Sequence, residues 1–161
     1  MERTLVLIKP DGLQRRLLGA IISRLEQKGL LLIGMKMLQM HEDMLARHYQ
    51  HLLDRSFYAE VAEFMTSAPV VATCWEGVEA VATVRTLCGV TNGREADPGT
   101  IRGDLSMSVQ ANIVHASETP RVAQNEIDTF FNPAELFEYA DPHRMLLYSR
   151  VKFQVSRFHA S

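Results

Sequence analysis

The chain has 161 residues and a mass of 18.2 kDa, which suits one domain with its own hydrophobic core. Its formal net charge of −2 argues against binding to nucleic acid or an anionic membrane surface, and no apolar stretch approaches the roughly 20 residues of a membrane span. Cys74 and Cys88 have the spacing of neither a disulfide framework nor a zinc site, and residues 1–6 lack a signal-peptide layout, so we expect a soluble cytoplasmic protein.

The first forty residues combine two apolar runs with one helical pattern. Residues 4–8 predict a buried strand, which a proline and a glycine stop shortly afterwards. Apolar residues recur at helical spacing over residues 18–25, and Gly29 suits the position just past the end of that helix. The apolar segment 30–40 predicts a second strand.

Two helices, a strand and another helix are predicted next. Apolar spacing indicates helices over residues 44–52 and 57–65, with Ser56 as the N-cap of the second. Residues 69–75 predict a third strand, and residues 78–88 predict the helix that follows it.

The last third begins with a segment that has no sustained period. Residues 89–109 are rich in Gly, Asp, Asn and Arg, and a loop of about 20 residues in so compact a chain is usually functional or disordered. Residues 113–115 predict the fourth strand, and residues 120–131 a helix that opens on proline. The order β-α-β-(α)-β-α-β is typical of an α+β, ferredoxin-like βαββαβ fold, an antiparallel sheet with helices on one face.

His115 lies at the end of the fourth predicted strand, just before a helix start. Such a position fixes the backbone, and an imidazole with a reference pKa of about 6.5 is mostly neutral and nucleophilic near pH 7. A strand-end histidine is more often structural, so this position alone decides nothing. The other histidines show no metal-ligand spacing.

Three basic residues have both an ordinary and a functional explanation. Arg85 follows Val78 by seven residues, on the predicted apolar face of its helix, where it would also complement the helix dipole. Arg102 precedes a glycine in the long loop, and Lys9 lies at a strand end before a turn. A single polyanion such as a triphosphate would account for all three, because phosphoryl transfer needs positioning and charge neutralisation.

Three segments carry a resemblance to the nucleoside diphosphate kinase family. They are IKPDG at residues 8–12, PGTIRGD at 98–104 and NIVHASET at 112–119, in collinear order. The similarity runs from about residue 3 to about residue 139. It implies the same fold, and transfer of the γ-phosphoryl group from a nucleoside triphosphate, usually ATP, to a nucleoside diphosphate by a ping-pong route through His115.

The resemblance also implies a role for each residue of the site. Mg²⁺ would be the cofactor, held mainly by the nucleotide phosphates and not directly by protein side chains. The implied catalytic residues are His115, Lys9, Glu126, Ser117 and Tyr49, and the implied nucleotide-binding residues are Lys9 and Asn112 for ribose and phosphate, Arg85, Thr91 and Arg102 for the phosphates, and Phe57, Val61 and Val109 for the base.

The family is oligomeric, so the resemblance implies a homo-oligomer, with a hexamer favoured over a tetramer. We expect a kinase domain over residues 1–145 and a C-terminal tail over residues 146–161. Residues 147–155 alternate apolar and polar side chains, which predicts an extra strand that serves assembly. Packing of this strand over its own subunit fits the pattern equally well.

The sequence departs from the family pattern at four places. Ala116 replaces a common glycine, the pair at 110–111 replaces Gly-Arg, and Gly93 and Ser56 stand where prolines are usual. None of these carries an implied chemical role, so they put loop rigidity and subunit contacts in doubt, not activity.

Three other classes fit the chain less well. A P-loop kinase would need GxxxxGK[ST], which the chain lacks. An RNA-recognition module would need an aromatic ribonucleoprotein signature and a basic surface, and the sequence indicates neither of them. A catalytically silent scaffold of the same family would normally have lost the histidine or an arginine.

Overall fold

Four strands form one antiparallel sheet in the computed structural model, which describes residues 1–148. The strands are β1 (Glu2–Ile8), β2 (Leu31–Leu38), β3 (Val70–Gly77) and β4 (Val114–Ala116), in the order β2-β3-β1-β4. The helices are α1 (Pro10–Gln14), α2 (Leu18–Gln27), α3 (Glu42–His48), α4 (Tyr58–Thr66), α5 (Ala80–Cys88), α6 (Ile101–Leu105), α7 (Pro120–Phe130) and α8 (Arg144–Leu147), with 3₁₀ turns at Gln50–Leu52 and Pro133–Glu135.

Strand β1 is buried on both sides of the sheet, which explains why residues 4–8 read as a nearly continuous apolar run. Val6 and Ile8 join one hydrophobic cluster, while Leu5 and Leu7 join another on the opposite face. Because successive side chains of a strand point to opposite faces, the sheet separates two cores.

The ferredoxin-like plan is confirmed, with the crossover helices α2 and α5 on one face of the sheet. Ile21 of α2 and Val84 of α5 pack in the first cluster. The opposite face is covered as well, by Leu45 of α3, Met65 of α4 and Phe130 of α7. Because β1 and β4 are antiparallel, the segment that follows β1 at Ile8 lies beside the segment that enters β4 at Val114.

Several element boundaries differ from the prediction. Pro10 stops β1 but also opens the short helix α1, because proline is well placed at the first helical position. The N-cap of α4 is Phe57, so the prediction of Ser56 as its N-cap is wrong. The long loop contains α6, which Thr100 caps by accepting a hydrogen bond from the Gly103 N–H. Gly29 has a φ of 95° just past α2, as its predicted position requires.

The last described residues pack against the rest of the domain. Helix α8 includes Leu147, the residue at which the extra tail strand was predicted to begin, and the Tyr148 hydroxyl donates to the Gly29 carbonyl at 3.2 Å. The rest of that predicted strand, residues 149–155, lies outside the described residues. Within residues 1–148, no helix combines the length and the apolar character that crossing a membrane requires.

Candidate active site

His115, Glu126 and Ser117 form a hydrogen-bonded chain where β4 meets α7. His115 Nε2 lies 2.8 Å from Glu126 Oε1, and the Ser117 hydroxyl donates to Glu126 Oε2 at 2.6 Å. The backbone N–H of Leu5 on β1 donates to Ser117 Oγ at 3.3 Å, which ties the chain to the central sheet. Burial alone would raise the pKa of the Glu126 carboxyl, but the hydrogen bonds and charge of His115, with His48 and Ser117, hold it below its ordinary value.

This arrangement selects one tautomer of His115. An ionised carboxylate accepts hydrogen bonds only, so a neutral imidazole beside it carries its proton on Nε2. The lone pair of the ring then lies on Nδ1. Because the side chain is about one-fifth exposed, the ring remains open to the adjacent cleft.

His48 lies behind His115, although the sequence assigned it no role. Its side chain is fully buried, its ring meets the His115 ring edge to face at 4.5 Å, and its Nδ1 is 3.5 Å from Glu126 Oε1. Tyr49 also packs on His48 with ring centres 4.5 Å apart, so His48 contacts both Tyr49 and His115. Burial raises the pKa of the Tyr49 hydroxyl above its ordinary range, and the charge of Glu126 adds to this.

These side chains also form a cluster of possible metal-ligand atoms that the sequence spacing of the histidines did not indicate. The donor atoms of His48, His115 and Glu126 lie within 4.8 Å of one another. Sequence spacing could not show this, because three different elements bring the residues together. The short hydrogen bond between His115 and Glu126 already satisfies the carboxylate without an ion.

An apolar cleft of about 460 Å³ opens between α4 and the segment before β4. Phe57 and Val109 are about half exposed, at 45% and 53%, and Val61 lies between them in the lining. Lys9 and Tyr49 line the inner part of the same cleft. Its walls can enclose a flat ring by apolar contact.

Lys9 and Asn112 form a polar pair at the inner end of this cleft. Lys9 Nζ donates to Asn112 Oδ1 at 2.7 Å and to the Gln110 carbonyl at 3.2 Å. Asn112 Nδ2 donates to the Thr91 carbonyl at 3.0 Å, which connects the pair to the long loop. Burial is the main cause that lowers the pKa of the Lys9 ammonium to about 8; the charge of Arg102 contributes to this shift, and Asp11 opposes it.

A second, polar cleft of about 250 Å³ lies beside His115 and includes Arg85, Thr91 and Arg102 in its lining. Arg85 is exposed, so the prediction that it lies on the apolar face of its helix is wrong. That count relied on Val78, which precedes the helix, while the buried face of α5 is built on Val81, Val84 and Cys88 among others. The exposed position directs Arg85 to the cleft instead of the core.

Arg102 is anchored to three backbone carbonyls, one after α5 and two on the segment that enters β4. It donates to the carbonyls of Gly89 at 2.7 Å, Val114 at 2.7 Å and Asn112 at 3.3 Å. A guanidinium has five N–H donors, so these three bonds leave donors for a ligand in the cleft. Burial lowers the pKa of Arg102; the nearby Cys88 opposes this and Arg85 adds to it.

Most of the predicted site residues line these two clefts, with His115 in the polar one, while Asn112, Glu126 and Ser117 contact lining residues by hydrogen bonds. The comparison with known proteins agrees with this geometry. A sequence model of the nucleoside diphosphate kinase family matches residues 2–136. The nucleoside diphosphate kinase of Parabacteroides distasonis is 50% identical over 153 residues, which cover 95% of this chain and 100% of that protein. Nucleoside diphosphate kinase A of Mus musculus is 50% identical over 138 residues, which cover 86% of this chain and 91% of that protein.

Solved structures have the same fold. A halophilic nucleoside diphosphate kinase from Halobacterium salinarum, in complex with CDP, has a TM-score of 0.89 at 40% identity and covers 91% of this chain and 98% of that chain. A family protein from Babesia bovis has a TM-score of 0.89 at 39% identity and covers 92% and 100%. With its fold, its histidine and its sequence in agreement, the chain belongs to the nucleoside diphosphate kinase family.

Proposed function

We propose that His115 is the residue that carries the phosphoryl group in the reaction of this enzyme. As a nucleoside diphosphate kinase, the chain transfers the γ-phosphoryl group of a nucleoside triphosphate to a nucleoside diphosphate through a phosphohistidine. The observation that carries the assignment is the 2.8 Å contact between His115 Nε2 and Glu126 Oε1. It holds the proton on Nε2 and keeps Nδ1 nucleophilic.

The two half-reactions balance on this nitrogen. The Nδ1 lone pair attacks the γ-phosphorus, an N–P bond forms, and the bond from phosphorus to the bridging oxygen breaks as the nucleoside diphosphate leaves with its electrons. A terminal oxygen of the second diphosphate then attacks the same phosphorus, and Nδ1 recovers its lone pair. Glu126 stabilises the positive charge that the ring carries in between, and Ser117 holds Glu126 in place.

The phosphates are assigned to Arg85, Thr91 and Arg102, because all three line the cleft beside His115. Guanidinium groups match phosphate oxygens in shape and charge. Their positive charge would offset the charge that develops on the leaving diphosphate. The structure of the Halobacterium salinarum relative contains CDP, which supports a nucleoside diphosphate as the ligand here.

The nucleoside is assigned to the apolar cleft. Phe57, with Val61 and Val109, would hold the base by stacking and apolar contact, which tolerates any base because every base has a π face. Lys9 and Asn112 lie where the ribose and the first phosphates would enter. Tyr49 lines the same cleft and packs on His48, whose ring contacts the His115 ring.

Mg²⁺ is the cofactor that this chemistry requires. The described lining of the polar cleft contains two arginines and the carboxylate of Glu118, a set that fits phosphate oxygens better than a bare cation. The ion would therefore be held mainly by the nucleotide phosphates. When bound, it neutralises phosphate charge and keeps the reacting group in line.

The experiment for His115 is labelling with γ-labelled ATP. We expect an acid-labile, alkali-stable label on the protein that leaves when GDP is added. His115→Asn should fold and take up no label, while His143→Asn, a change at an exposed histidine far along the chain, should label normally. Phosphate on a histidine of His115→Asn that still exchanges with GDP would overturn the assignment.

We further propose a cytoplasmic homo-oligomer, a hexamer in preference to a tetramer. The two cysteines are free and buried, which suits a reducing compartment. Met35 and Met37 are exposed on the edge strand β2, and an apolar edge of this kind suits contact between copies. The mass in solution tests the state, and deletion of residues 149–161 tests whether the tail strengthens it.

A further inference from the structure

The backbone turns sharply at Ile113, two residues before His115. Ile113 has a φ of 73°, in the left-handed region that favours glycine, although it is β-branched and fully buried. The Val114 N–H donates to the Asn112 carbonyl at 2.8 Å and closes a three-residue γ-turn around Ile113. A turn of this form is rare and strained, and such strain persists only where surrounding contacts impose it.

Neighbouring groups hold every peptide unit of this turn. Asp11 Oδ2 accepts the Ile113 N–H at 3.0 Å, and the Lys9 N–H donates to the Ile113 carbonyl at 2.8 Å. On either side of Ile113, the carbonyls of Asn112 and Val114 accept hydrogen bonds from Arg102. In the other contacts the acceptor is a backbone carbonyl. The Ile113 N–H instead donates to a side chain, the buried carboxylate of Asp11.

Helix α1 brings Asp11 to the turn, and Gly12 allows the approach. A Cβ added at Gly12 would lie 2.8 Å from Ile8 Cγ2 and 3.0 Å from the Ile113 carbonyl oxygen. Any other residue at this position would push α1 away from β4. The Asp-Gly pair that follows Pro10 therefore supports the turn at Ile113 as well as forming part of α1.

The turn sets the relation between the two functional side chains that flank it. Asn112 precedes Ile113 and contacts Lys9, whereas His115 follows and contacts Glu126. Relaxation of Ile113 to negative φ would rotate the intervening peptide and displace one side chain relative to the other.

We propose that Asp11 is a positioning residue for phosphoryl transfer, because its carboxylate keeps Ile113 in the γ-turn and so places His115 relative to Asn112. The inference rests on the proposed role of His115 as phosphoryl acceptor. Asp11 lines neither the apolar nor the polar cleft; its carboxylate acts through the backbone of Ile113.

The test compares Asp11→Ala and Asp11→Asn by the single-turnover rate of phosphohistidine formation from γ-labelled ATP. Asp11→Ala leaves the Ile113 N–H without its acceptor, and we expect a rate about 10- to 100-fold lower, the typical cost of a misplacement of about 1 Å. Asp11→Asn keeps a side-chain oxygen that can accept from the Ile113 N–H, so its rate of phosphohistidine formation should fall far less. If Asp11 acted instead by its charge on Lys9, both variants would be equally slow, and the proposal would be overturned.

A second change separates positioning from general stability. Glycine adopts positive φ without strain, so Ile113→Gly in the Asp11→Ala background should recover much of the lost rate even though the protein loses core volume. Thr73→Val removes another buried hydrogen bond, from Thr73 Oγ1 to the Val6 carbonyl, and serves as the matched control. It should lower thermal stability and leave the rate of labelling unchanged.

Wild-type protein and His115→Asn are labelled in parallel. If the wild-type protein takes up no label, the proposed role of His115 is wrong. If wild type and Asp11→Ala are labelled at the same rate, the positioning role of Asp11 alone is overturned. Absence of rescue by Ile113→Gly would overturn it too. If Asp11→Ala does not fold, the double variant Asp11→Ala/Ile113→Gly is tested instead. A double variant that folds and takes up label supports the inference. A double variant that does not fold, while the Ile113→Gly single variant folds and is active, refutes it.

Discussion

Replacing Glu126 with glutamine keeps the shape of the side chain but removes its charge and one of its two acceptor oxygens. The carboxylate accepts from His115 Nε2 at 2.8 Å and from the Ser117 hydroxyl at 2.6 Å. A hydrogen bond to a charged group contributes about 1.5–3 kcal/mol, and its value rises as the histidine becomes positive in the transition state. Loss of one such bond corresponds to a rate of phosphohistidine formation roughly 10- to 150-fold lower.

The same substitution changes the response to acid. Burial raises the pKa of Glu126, yet the contacts with His115, His48 and Ser117 outweigh it and leave the pKa below the ordinary 4.5. A lowered pKa contributes stability that is present above the ordinary value and is lost as the pH falls from 4.5 through the lower folded-state value. Glu126→Gln lacks this contribution, so its stability relative to wild type should improve as the pH falls through that window.

Rapid-quench labelling at saturating ATP measures the rate, and urea unfolding at neutral and acid pH measures the stability. Asp128→Asn, which changes an exposed carboxylate on the same helix, is the matched control and should behave as wild type. A Glu126→Gln enzyme that labels at the wild-type rate would refute the view that this carboxylate stabilises the charged ring.

Three further changes probe the clefts and the loop. Phe57→Ala should weaken nucleotide binding by about 1–3 kcal/mol for purines and pyrimidines alike, as measured by calorimetry. Replacement of the exposed Phe137 by alanine is the control, and a loss of binding for one base only would contradict stacking. Affinity for ADP should fall as the pH rises through about 8, where Lys9 loses its charge, and Lys9→Arg should flatten this dependence; equal affinities on both sides of that pH would contradict it. Thr100→Val removes the cap of α6 and should lower stability by about 0.5–2 kcal/mol in thermal unfolding, with an unchanged melting temperature as the contrary result.

The sequence predicted the strands and the longer helices because burial imposes a period on them. Leu5, Val6, Leu7 and Ile8 alternate between two cores, and the buried residues of α7 recur at helical spacing. Short elements lack enough residues to show a period, so α1 and α6 were missed.

Site residues were predicted where the chemistry of the side chain itself indicates a role. Features that depend on contacts in the fold or on backbone conformation were missed. His48 gave no signal because its neighbours, His115 and Glu126, are distant in the chain. The left-handed turn at Ile113 was not predicted, because its central residue is neither glycine nor asparagine, the residues that usually indicate this conformation. Arg85 was assigned to the wrong face because the start of α5 was placed too early.

The half-exposed walls of the apolar cleft have a practical consequence. Phe57 and Val109 can cover the faces of a base held between them, but the outer edge of that base would stay in water. A fluorophore joined to that edge by a short linker would extend into solvent without displacing either wall. Dye-labelled nucleotides would then be accepted as substrates, and their emission would report occupancy of the cleft during turnover.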